Sequence, residues 1–370
     1  MEEWKEYRLG DICIMKNGRK RPIEEGEYPV YGGNGIMGYS NQYNAEDTII
    51  VGRVGAYCGN VLLSKNKCWV SDNAISVVAK NQIHTDFLYY LMLTLDLHNQ
   101  HIGAAQPLMT QDIIGRFEVK IPSLSTQLHI ADILKSLDDK IEANRKINSN
   151  LEEQAKALFK SWFIDFEPFR GGKFVDSELG KIPDGWNMMS FESFISESQD
   201  KVMVGTYPAY SVTNNGITPR TEKFKKQLSK ATSKEKILRK DDLVFGMSRQ
   251  ILNWGIMQDE IGSVSSAYHV YKIDKERTDP TYLRYFIKGY ETYFRDLIGT
   301  AAREGQSLDK GALMNKKLLV PSKDILRSFI KHVTTIENTL SLFKSQCSLL
   351  STLRDTLLPR LMSGEIEARS

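Results

Sequence analysis

The sequence has no apolar run long enough to cross a membrane, and it is poor in cysteine. Its most apolar stretch, residues 87–95, is well short of the roughly 18 residues that a transmembrane helix needs. The four cysteines are Cys13, Cys58, Cys68 and Cys347. They form no CxxC motif and no obvious pairing pattern, so we expect reduced thiols and no zinc site. The charged start of the chain lacks the apolar region of a secretion signal, and we therefore expect a cytoplasmic protein without a membrane contact.

Familiar catalytic motifs are also missing from the sequence. It contains no Gly-x-x-x-x-Gly-Lys-Ser/Thr phosphate loop, no Gly-x-Ser-x-Gly nucleophile elbow and no His-Glu-x-x-His metal motif. It also lacks the Asn-Pro-Pro-aromatic motif of amino-methyltransferases, and its six histidines are scattered. The acidic pair Asp138-Asp139 falls on a predicted helix, where we expect a solvated face. These absences favour a chain that is not an enzyme and that binds no metal or cofactor of its own.

Two stretches of the chain have the heptad pattern of a coiled coil. In the first, apolar or small residues recur at alternating steps of four and three over more than four heptads, which predicts one long helix. Its seam consists of Ile130, Leu134, Leu137, Ile141, Asn144, Asn148, Leu151, Ala155, Leu158 and Trp162. Adding 199 to each number gives a second seam, which consists of Phe329, Val333, Ile336, Leu340, Phe343, Cys347, Leu350, Arg354, Leu357 and Leu361. Because both helices have the same register, we expect them to pair with each other, with two unrelated core helices as the alternative.

The predicted helices suit a spacer between two contacts on DNA. A helix of about 40 residues is roughly 60 Å long, whereas one turn of duplex DNA is ~34 Å. The two asparagines in the first seam, Asn144 and Asn148, weaken a coiled coil but can fix its register. They can equally mark a place where the two helices part.

The segments outside the helices repeat as well. Residues 28–31, with the sequence YPVY, return as YPAY at 207–210, and IIVG at 49–52 returns as LVFG at 243–246. β-Branched runs between glycine-rich turns predict strands at residues 48–51 and 69–78, and residues 86–97 predict an amphipathic helix. The expected fold class is α+β, with two similar globular domains, mostly β with a few helices, separated by two long antiparallel coiled-coil helices in a pseudo-two-fold internal repeat. The predicted segments are a first domain at 1–123, a long helix at 124–165, a linker at 166–185, a second domain at 186–320, a second long helix at 321–363 and a tail at 364–370.

The loops differ between the two copies, as expected of two domains that recognise different ligands. The net charge of +3 neither requires nor excludes nucleic acid, but basic residues cluster in the loops. Lysines there suit phosphate contact, whereas Arg, Asn and Gln on ordered turns suit the reading of bases. Any one of these residues can instead be an ordinary solvated side chain. The candidates for DNA contact are Lys16, Arg19, Lys20, Arg21, Asn34, Arg53, Tyr57, Gln106, Asn214, Asn215, Arg220, Lys223, Lys225, Arg249, Gln250, Asn253, Arg303 and Gln306.

Several stretches resemble a known family. They are ADILKSLDDKI at 131–141, FIDFEP at 163–168 followed by SELGKIPDGW at 177–186, and LPRLMSGEI at 358–366. Together with Ile121-Pro122, which precedes the first helix, they span nearly the whole chain. In these motifs the chain resembles the specificity subunit of Type I restriction–modification systems.

The resemblance implies two target-recognition domains, each of which reads one half of a split site in double-stranded DNA. It also implies that the long helices set the gap and dock two adenine methyltransferase (modification) subunits, to which restriction (motor–nuclease) subunits are added. S-adenosylmethionine, ATP and magnesium would be used by those partner subunits and not by this chain. There is one departure from the repeat. The first copy has Ser125-Thr126-Gln127 at the helix start, whereas the second has Ser322-Lys323-Asp324 and no glutamine. This difference bears on whether partners contact the two helix starts in the same way.

Two other classes of protein remain open from the sequence. The chain can be a stand-alone transcription regulator with two DNA-binding lobes, which would bind its site tightly without a methyltransferase. It can also be a self-sufficient nuclease with an unrecognised active site, which would cut DNA with metal alone. The bases that are read and the length of the gap cannot be deduced from the residues.

Overall fold

A computed structural model of the chain describes residues 4–103, 107–202, 207–220, 234–247, 251–298 and 308–367. The contacts within the chain divide it into two compact units. Unit 1 comprises the residues up to Asn148 and those from Leu342 onward, and unit 2 comprises Ser149–Ser341. Each unit therefore contains a globular part and a section of both long helices.

Unit 1 is built from short strands, short helices and a section of each long helix. Its strands are β1 (Lys5–Arg8), β2 (Cys13–Asn17), β3 (Tyr28–Gly32), β4 (Gly35–Ser40), β5 (Thr48–Gly52), β6 (Val61–Ser64), β7 (Trp69–Val70), β8 (Ala74–Ala79) and β9 (Glu118–Ile121). Its helices are α1 (Leu9–Ile12), α2 (Thr85–Leu93), α3 (Gln111–Gly115) and the first part of α4 (Leu124–Phe163), with 3-10 turns at Gly55–Tyr57 and Leu97–Gln100. The last part of the second long helix completes the unit.

The core of unit 1 lies between a four-stranded sheet and helix α2. The strand order is β2-β8-β5-β6, a second sheet has the order β4-β3-β7, and β1 pairs with β9. All five residues of β5, with the sequence TIIVG, are buried. Such a run suits a central strand that is covered on both faces, because β-branched side chains pack well there.

Two elements of unit 1 differ from the sequence prediction. The predicted strand at 69–78 is two strands, β7 and β8, because Asp72 and Asn73 form a turn between them. The predicted helix at 86–97 ends at Leu93, and Asp96 then adopts a left-handed backbone with a φ of 48°, through which no helix continues. This helix is also more buried than an amphipathic surface helix. Even Asp86 is buried, with its carboxylate 2.8 Å from Lys65 Nζ.

Unit 2 has a comparable set of elements. Its strands are β10 (Phe174–Ser177), β11 (Gly180–Pro183), β12 (Asn187–Ser190), β13 (Ile195–Glu197), β14 (Tyr210–Thr213), β15 (Gly216–Pro219), β16 (Lys236–Arg239), β17 (Leu243–Phe245), β18 (Trp254–Ile256), β19 (Ile261–Val264), β20 (His269–Ile273) and β21 (Lys317–Val320). Its helices are α5 (Pro280–Gly289), α6 (Lys310–Asn315) and the first part of α7 (Lys323–Met362), with 3-10 turns at Glu167–Phe169, Phe191–Ser193 and Glu291–Leu297. The last part of α4 completes this unit.

The topology of unit 2 repeats that of unit 1. The sheet order β13-β20-β17-β18 corresponds to β2-β8-β5-β6, the β14–β15 hairpin to β3–β4, and the β12–β21 pair to β1–β9. Helix α5 follows β20 as α2 follows β8, and α6 precedes β21 as α3 precedes β9. The predicted α+β fold with two similar units is therefore confirmed.

The two long helices contain 40 residues each and pair through the predicted seam. All twenty seam positions are buried or half-buried. Within unit 1, Arg354 lies opposite Asp138, and Asn144 Nδ2 donates to Gln346 Oε1 at 3.2 Å. Within unit 2, the ring of Phe163 contacts that of Phe329, with the centroids 4.9 Å apart. The partner numbers on α7 fall as those on α4 rise, so the helices run antiparallel, as predicted.

The predicted linker and tail contain ordered structure. Residues 166–185 form a 3-10 turn and the β10–β11 hairpin, and the rings of Phe166 and Phe169 lie edge-on to Trp186. At the other end of the chain, Ile366 packs against the core of unit 1, and Gly364 lies beside the ring of Trp4. Trp4 and Trp186 directly precede the equivalent strands β1 and β12, so each unit packs this tryptophan against residues that follow the end of a long helix.

The glutamine that distinguishes the start of the first long helix is an internal residue. Gln127 is buried, and its Oε1 accepts a hydrogen bond from the backbone N–H of His84 at 2.9 Å. Its Nε2 donates to the carbonyl oxygens of Gln82 and Pro122 at 3.1 and 3.0 Å. Gln127 therefore joins the start of α4 to the segment before α2 within unit 1. Across the described part of the chain, no helix combines the length and the apolarity of a membrane span.

Candidate nucleic-acid interface

In unit 1 the β3–β4 turn packs against the segment that follows β5. The two backbones come so close that a Cβ on Gly52 would lie 2.0 Å from the carbonyl oxygen of Tyr57, and a Cβ on Gly33 would lie 3.1 Å from Gly52 Cα. Only glycine fits such an approach. Asn60 Nδ2 donates to the Gly33 carbonyl at 2.7 Å and fastens the turn.

A basic segment, residues 16–21, runs beside the same region. The Gly18 N–H donates to the carbonyl of Ala74 at 2.9 Å, and the Arg19 N–H donates to that of Val70 at 3.0 Å. The backbone of this segment is fixed, whereas the side chains of Lys16, Arg19, Lys20 and Arg21 are exposed. We call residues 16–21, 32–35, 52–57 and 71–73 the loop surface of unit 1.

Arg53 lies at the centre of this loop surface. Its backbone N–H donates to the Asn73 carbonyl at 2.9 Å, and its Nη1 reaches the Asp72 carbonyl at 3.4 Å. The side chain is half-buried, while the nearby Asn34 and Tyr57 are exposed. Among the described residues the Arg53 guanidinium makes one long hydrogen bond, and an arginine has five N–H donors, so others can bind a ligand. Bidentate contact from arginine is the commonest way in which proteins recognise guanine.

In unit 2 the start of the segment after β17 likewise packs against the β14–β15 hairpin, since a Cβ on Gly246 would lie 3.0 Å from Val212 Cβ. The β14–β15 turn exposes Asn214 and Asn215, and the N–H of Asn215 donates to Thr213 Oγ1 at 3.2 Å. After β17, the Gly246 N–H donates to the Asn253 carbonyl at 2.8 Å, and Asn253 Nδ2 donates to the Met247 carbonyl at 2.7 Å. Among the described residues, the scaffold of the first loop surface is thus repeated, with asparagines on the β14–β15 turn and after β17.

Arg220 has structural contacts in unit 2. Its Nη1 donates to Glu235 Oε1 at 2.9 Å, and the other oxygen of this buried carboxylate accepts from Ser263 Oγ at 2.7 Å. A charge-assisted contact of this kind holds the end of the β14–β15 hairpin to the rest of the unit. A role for Arg220 in reading bases stays a prediction, and these contacts compete with it. Further candidates that lie outside the described residues are Gln106, Lys223, Lys225, Arg249, Gln250, Arg303 and Gln306.

The sequence did not reveal two features of the described residues. The first is a set of exposed apolar side chains on β4, namely Ile36, Met37 and Tyr39. The second is the pairing of Asp138, which was expected on a solvated face. Its two oxygens accept from Arg354 Nη1 at 2.6 Å and from Tyr90 Oη at 2.8 Å.

The described residues contain no group of three or more His, Cys, Asp or Glu side chains that could hold a metal ion. Burial raises the pKa of Cys13 to about 12, against an opposing influence of Lys80, and it also raises the pKa of Cys58 and Cys68. These thiols are therefore protonated near neutral pH and are poor nucleophiles. The chemistry of the loop surfaces is hydrogen bonding and charge, which suits binding.

Comparisons with known proteins agree with this interpretation. Residues 1–153 match a family model described as the Type I restriction modification DNA specificity domain. The Type I restriction enzyme MjaIX specificity subunit of Methanocaldococcus jannaschii is 27% identical over 83% of this chain and 75% of that protein. The Type I restriction enzyme HindI specificity subunit of Haemophilus influenzae is 26% identical over 99% of this chain and all of that protein.

The fold also has a solved counterpart. The crystal structure of the Type I restriction–modification system S subunit from M. genitalium superimposes with a TM-score of 0.68 at 16% sequence identity. The similarity covers 98% of this chain and 96% of that one. Both long helices and both globular parts therefore belong to a fold that has been solved before.

Proposed function

The chain belongs to the specificity subunits of Type I restriction–modification systems, and from this premise we propose that each of its two units reads one half of a bipartite site in double-stranded DNA. Specificity subunits are the non-catalytic DNA-recognition components of these systems. The observation that carries the proposal is the repeated loop scaffold with different side chains in each copy. A scaffold that occurs twice provides two contacts with DNA, and loops that differ between the copies can recognise two different DNA sequences.

The spacer role is supported by the length and pairing of the long helices. Each contains 40 residues and is roughly 60 Å long at ~1.5 Å per residue. Buried Asn144 and Asn148 lie in the seam, and one of them is hydrogen-bonded across it. A polar residue in a coiled-coil seam resists sliding, because sliding would leave it buried without its partner. A fixed register would keep the gap between the half-sites constant.

We place the docking of two adenine methyltransferase (modification) subunits on the long helices, and the restriction (motor–nuclease) subunits join that core. On α7, the side chains of Leu342, Leu349 and Leu353 are exposed, and Leu349 reaches 70%. Their spacing of seven and four residues puts them on one face, away from the seam that packs against α4. An exposed leucine stripe of this kind is typical of a helix that packs against a further helix. S-adenosylmethionine, ATP and magnesium are then used by the partners, in the cytoplasm where the DNA is.

Co-expression with an adenine methyltransferase subunit, followed by methylome sequencing, tests the proposal. We expect the methyltransferase to co-purify with the chain and to methylate adenines in a motif with two specified halves and an unspecified gap. Tight binding to a site by the chain alone, without methylation in its presence, would favour the transcription regulator. Cleavage of DNA with metal alone would favour the nuclease.

The docking surface has its own test. Leu349→Asp places a charge in the leucine stripe, and we expect it to abolish co-purification of the methyltransferase subunits. Ser348→Asp adds the same charge at the neighbouring exposed position, turned away from the stripe, and should retain them. Equal retention by both variants would move the docking surface elsewhere.

A further inference from the structure

Strand β4 of unit 1 presents an unusual amount of apolar surface to solvent. Ile36, Met37 and Tyr39 are each between 46% and 52% exposed, although β4 has only six residues. The strand is at the edge of its sheet, in the order β4-β3-β7. An exposed apolar edge strand favours association, and proteins usually blunt such an edge with charge or cover it. Arg21 covers part of the backbone edge, but the apolar side chains stay exposed, and these suit contact with a ligand.

The surroundings of this hairpin favour DNA as that ligand. Arg21 Nη1 donates to the Met37 carbonyl at 3.3 Å, which places a guanidinium directly on the outer edge of β4. The exposed Arg19 and Lys20 precede it. The hairpin turn itself is part of the loop surface of unit 1, next to Tyr57. Three exposed glutamates, Glu24, Glu25 and Glu27, lie between this basic segment and β3, and Glu24 accepts a hydrogen bond from Asn41 at the far end of the hairpin, away from the turn.

The corresponding hairpin of unit 2 is different. The residues that follow its turn are Ile217, Thr218 and Pro219, and all of them are half-buried. Ile217 packs against the backbone of Gly255, where a Cβ would lie 2.6 Å from its side chain. Within the described residues, the exposed Ile36, Met37 and Tyr39 of unit 1 therefore have no counterpart in the hairpin of unit 2. Such a difference is expected of residues that serve sequence choice and not the common scaffold.

We infer that the β3–β4 hairpin of unit 1 reads thymine, by packing Ile36 and Met37 against 5-methyl groups in the major groove; the inference rests on the proposed function. The major groove admits a two-stranded ribbon, and the thymine methyl is the apolar group that it offers to such side chains. Arg19, Lys20 and Arg21 then contact the flanking phosphates, which orients the ribbon without selecting a sequence. The half-site read by unit 1 contains at least one A·T pair at a fixed position.

Replacing thymine by deoxyuridine in the recognised duplex tests this inference, because only the methyl group is removed. The complex of the full chain with its methyltransferase subunits is titrated with duplexes in which the thymines of one half-site at a time are replaced. We expect binding to weaken about three- to fivefold per contacted thymine in one half-site, as for the loss of one buried methyl group. The double variant Ile36→Ser, Met37→Ser should bind the thymine and deoxyuridine duplexes equally in that half-site.

Ile23→Ser is the matched control, since Ile23 is 99% exposed in the same unit and lies outside the hairpin. It should retain the wild-type preference for thymine. Equal binding of both duplexes by the wild type, or an unchanged preference in the double variant, overturns the inference. The inference is also overturned if the double variant loses a partner subunit from the complex but keeps its preference for thymine. That result would make the hairpin an interface with another protein. Failure of the proposed function gives a distinct result, because methylome sequencing would then find no methylated motif with two specified halves.

Discussion

An acidic residue on a long helix contacts a tyrosine and an arginine in both units, but the arginine comes from a different element in each. Glu337 on α7 accepts from Tyr285 Oη at 3.0 Å and from Arg284 Nη2 at 2.7 Å, much as Asp138 on α4 accepts from a tyrosine of α2 and from Arg354. The carboxylate and the tyrosine repeat, but the arginine comes from α5 in unit 2 and from α7 in unit 1. The heptad pattern places both acids on a helix, yet it contains no information about an arginine 216 positions away. Such partners cannot be predicted from a local pattern.

Arg53 is the residue for which the structure gives the sharpest prediction about sequence choice. Its backbone is fixed by Asn73, and the one hydrogen bond of its guanidinium within the described part of the chain is the long contact to Asp72. We expect Arg53→Ala to relax the choice at a single base pair, with a loss of about 1–3 kcal/mol of discrimination. Methylome sequencing of the variant complex would reveal the relaxed position. Arg8→Ala, at an exposed arginine on β1 that pairs with Glu118, should leave the motif unchanged. If both variants methylate the wild-type motif, Arg53 does not read bases.

A half-buried ion cluster in unit 2 predicts a loss of stability in acid. Glu197 accepts from Lys310 Nζ at 2.8 Å and lies 3.2 Å from His269 Nδ1. Burial lowers the pKa of His269 below 6.5, although the bond to Glu197 opposes this. The unfolded chain then binds the proton more readily, so the free energy of unfolding falls as the pH drops below about 6.5. Burial raises the pKa of Glu197, but the bonds from Lys310 and His269 outweigh it and leave the pKa below 4.5, so a second loss follows in stronger acid.

Hydrogen exchange at the amides of β13 and β20 measures this loss. Between pH 7.5 and 5.5, after correction for intrinsic exchange, protection should fall in the wild type and change less in His269→Gln. His332→Gln, at an exposed histidine of the same unit, should behave like the wild type. A pH dependence that is the same in all three proteins would show that His269 is not responsible.

At the level of secondary-structure elements, the long helices were the most predictable feature. Their seam repeats over many turns, so small local preferences add up, and all predicted positions are buried or half-buried. Short elements depended on tertiary contacts. Residues 69–78 have the composition of one strand, but the turn at Asp72 and Asn73 bonds to Arg53 and splits it. The glycines and prolines of 166–185 suggested a linker, but Phe166 and Phe169 fold that segment against Trp186.

The end of α7 depends on one glycine. Gly364 has a φ of +74°, and its N–H donates to the Leu361 carbonyl at 3.3 Å, as in a helix that stops with a left-handed residue. A Cβ there would also lie 3.2 Å from the Trp4 ring. We expect Gly364→Ala to lower the free energy of unfolding of unit 1 by about 1–2 kcal/mol, the usual penalty for an L-residue in this conformation. Chemical denaturation followed through the amides of unit 1 measures the change.

Gly171 provides the matched control for this substitution. A Cβ at Gly171 meets nothing within 4 Å, and its backbone is not in the left-handed region. Gly171→Ala should therefore leave stability unchanged or raise it slightly, because it restricts the unfolded chain. If Gly364→Ala is equally harmless, the tail is not held to Trp4 as described.

At the scale of the whole molecule, duplication was visible in the sequence, whereas the composition of each loop surface was not. Repeated fragments such as YPVY and YPAY mark equivalent strands, and these pair in the same order in both units. The loops between them differ in sequence between the two copies, so the repeat did not separate the exposed Asn34 and Tyr57 from the partly internal Arg220. The scaffold can be predicted from the repeated sequence fragments and the heptad pattern. Which loop residues contact bases can be judged only from the tertiary contacts.

Removing one heptad from both long helices tests the spacer role at this scale. Residues 142–148 and 342–348 face each other in the pairing that the Asn144–Gln346 and Ile141–Cys347 contacts define. Deleting both shortens each helix by ~10 Å, or about three base pairs, and turns the seam by only ~20°. The deletion also removes Asn144, Asn148 and Leu342, so co-purification of the methyltransferase is checked first. With the methyltransferase bound through Leu349 and Leu353, we expect methylome mapping to show the same half-sites with a gap about three base pairs shorter. Deleting residues 142–148 alone leaves their partners on α7 unpaired and should reduce the yield of folded protein. An unchanged gap after the paired deletion would mean that the helices do not measure the DNA.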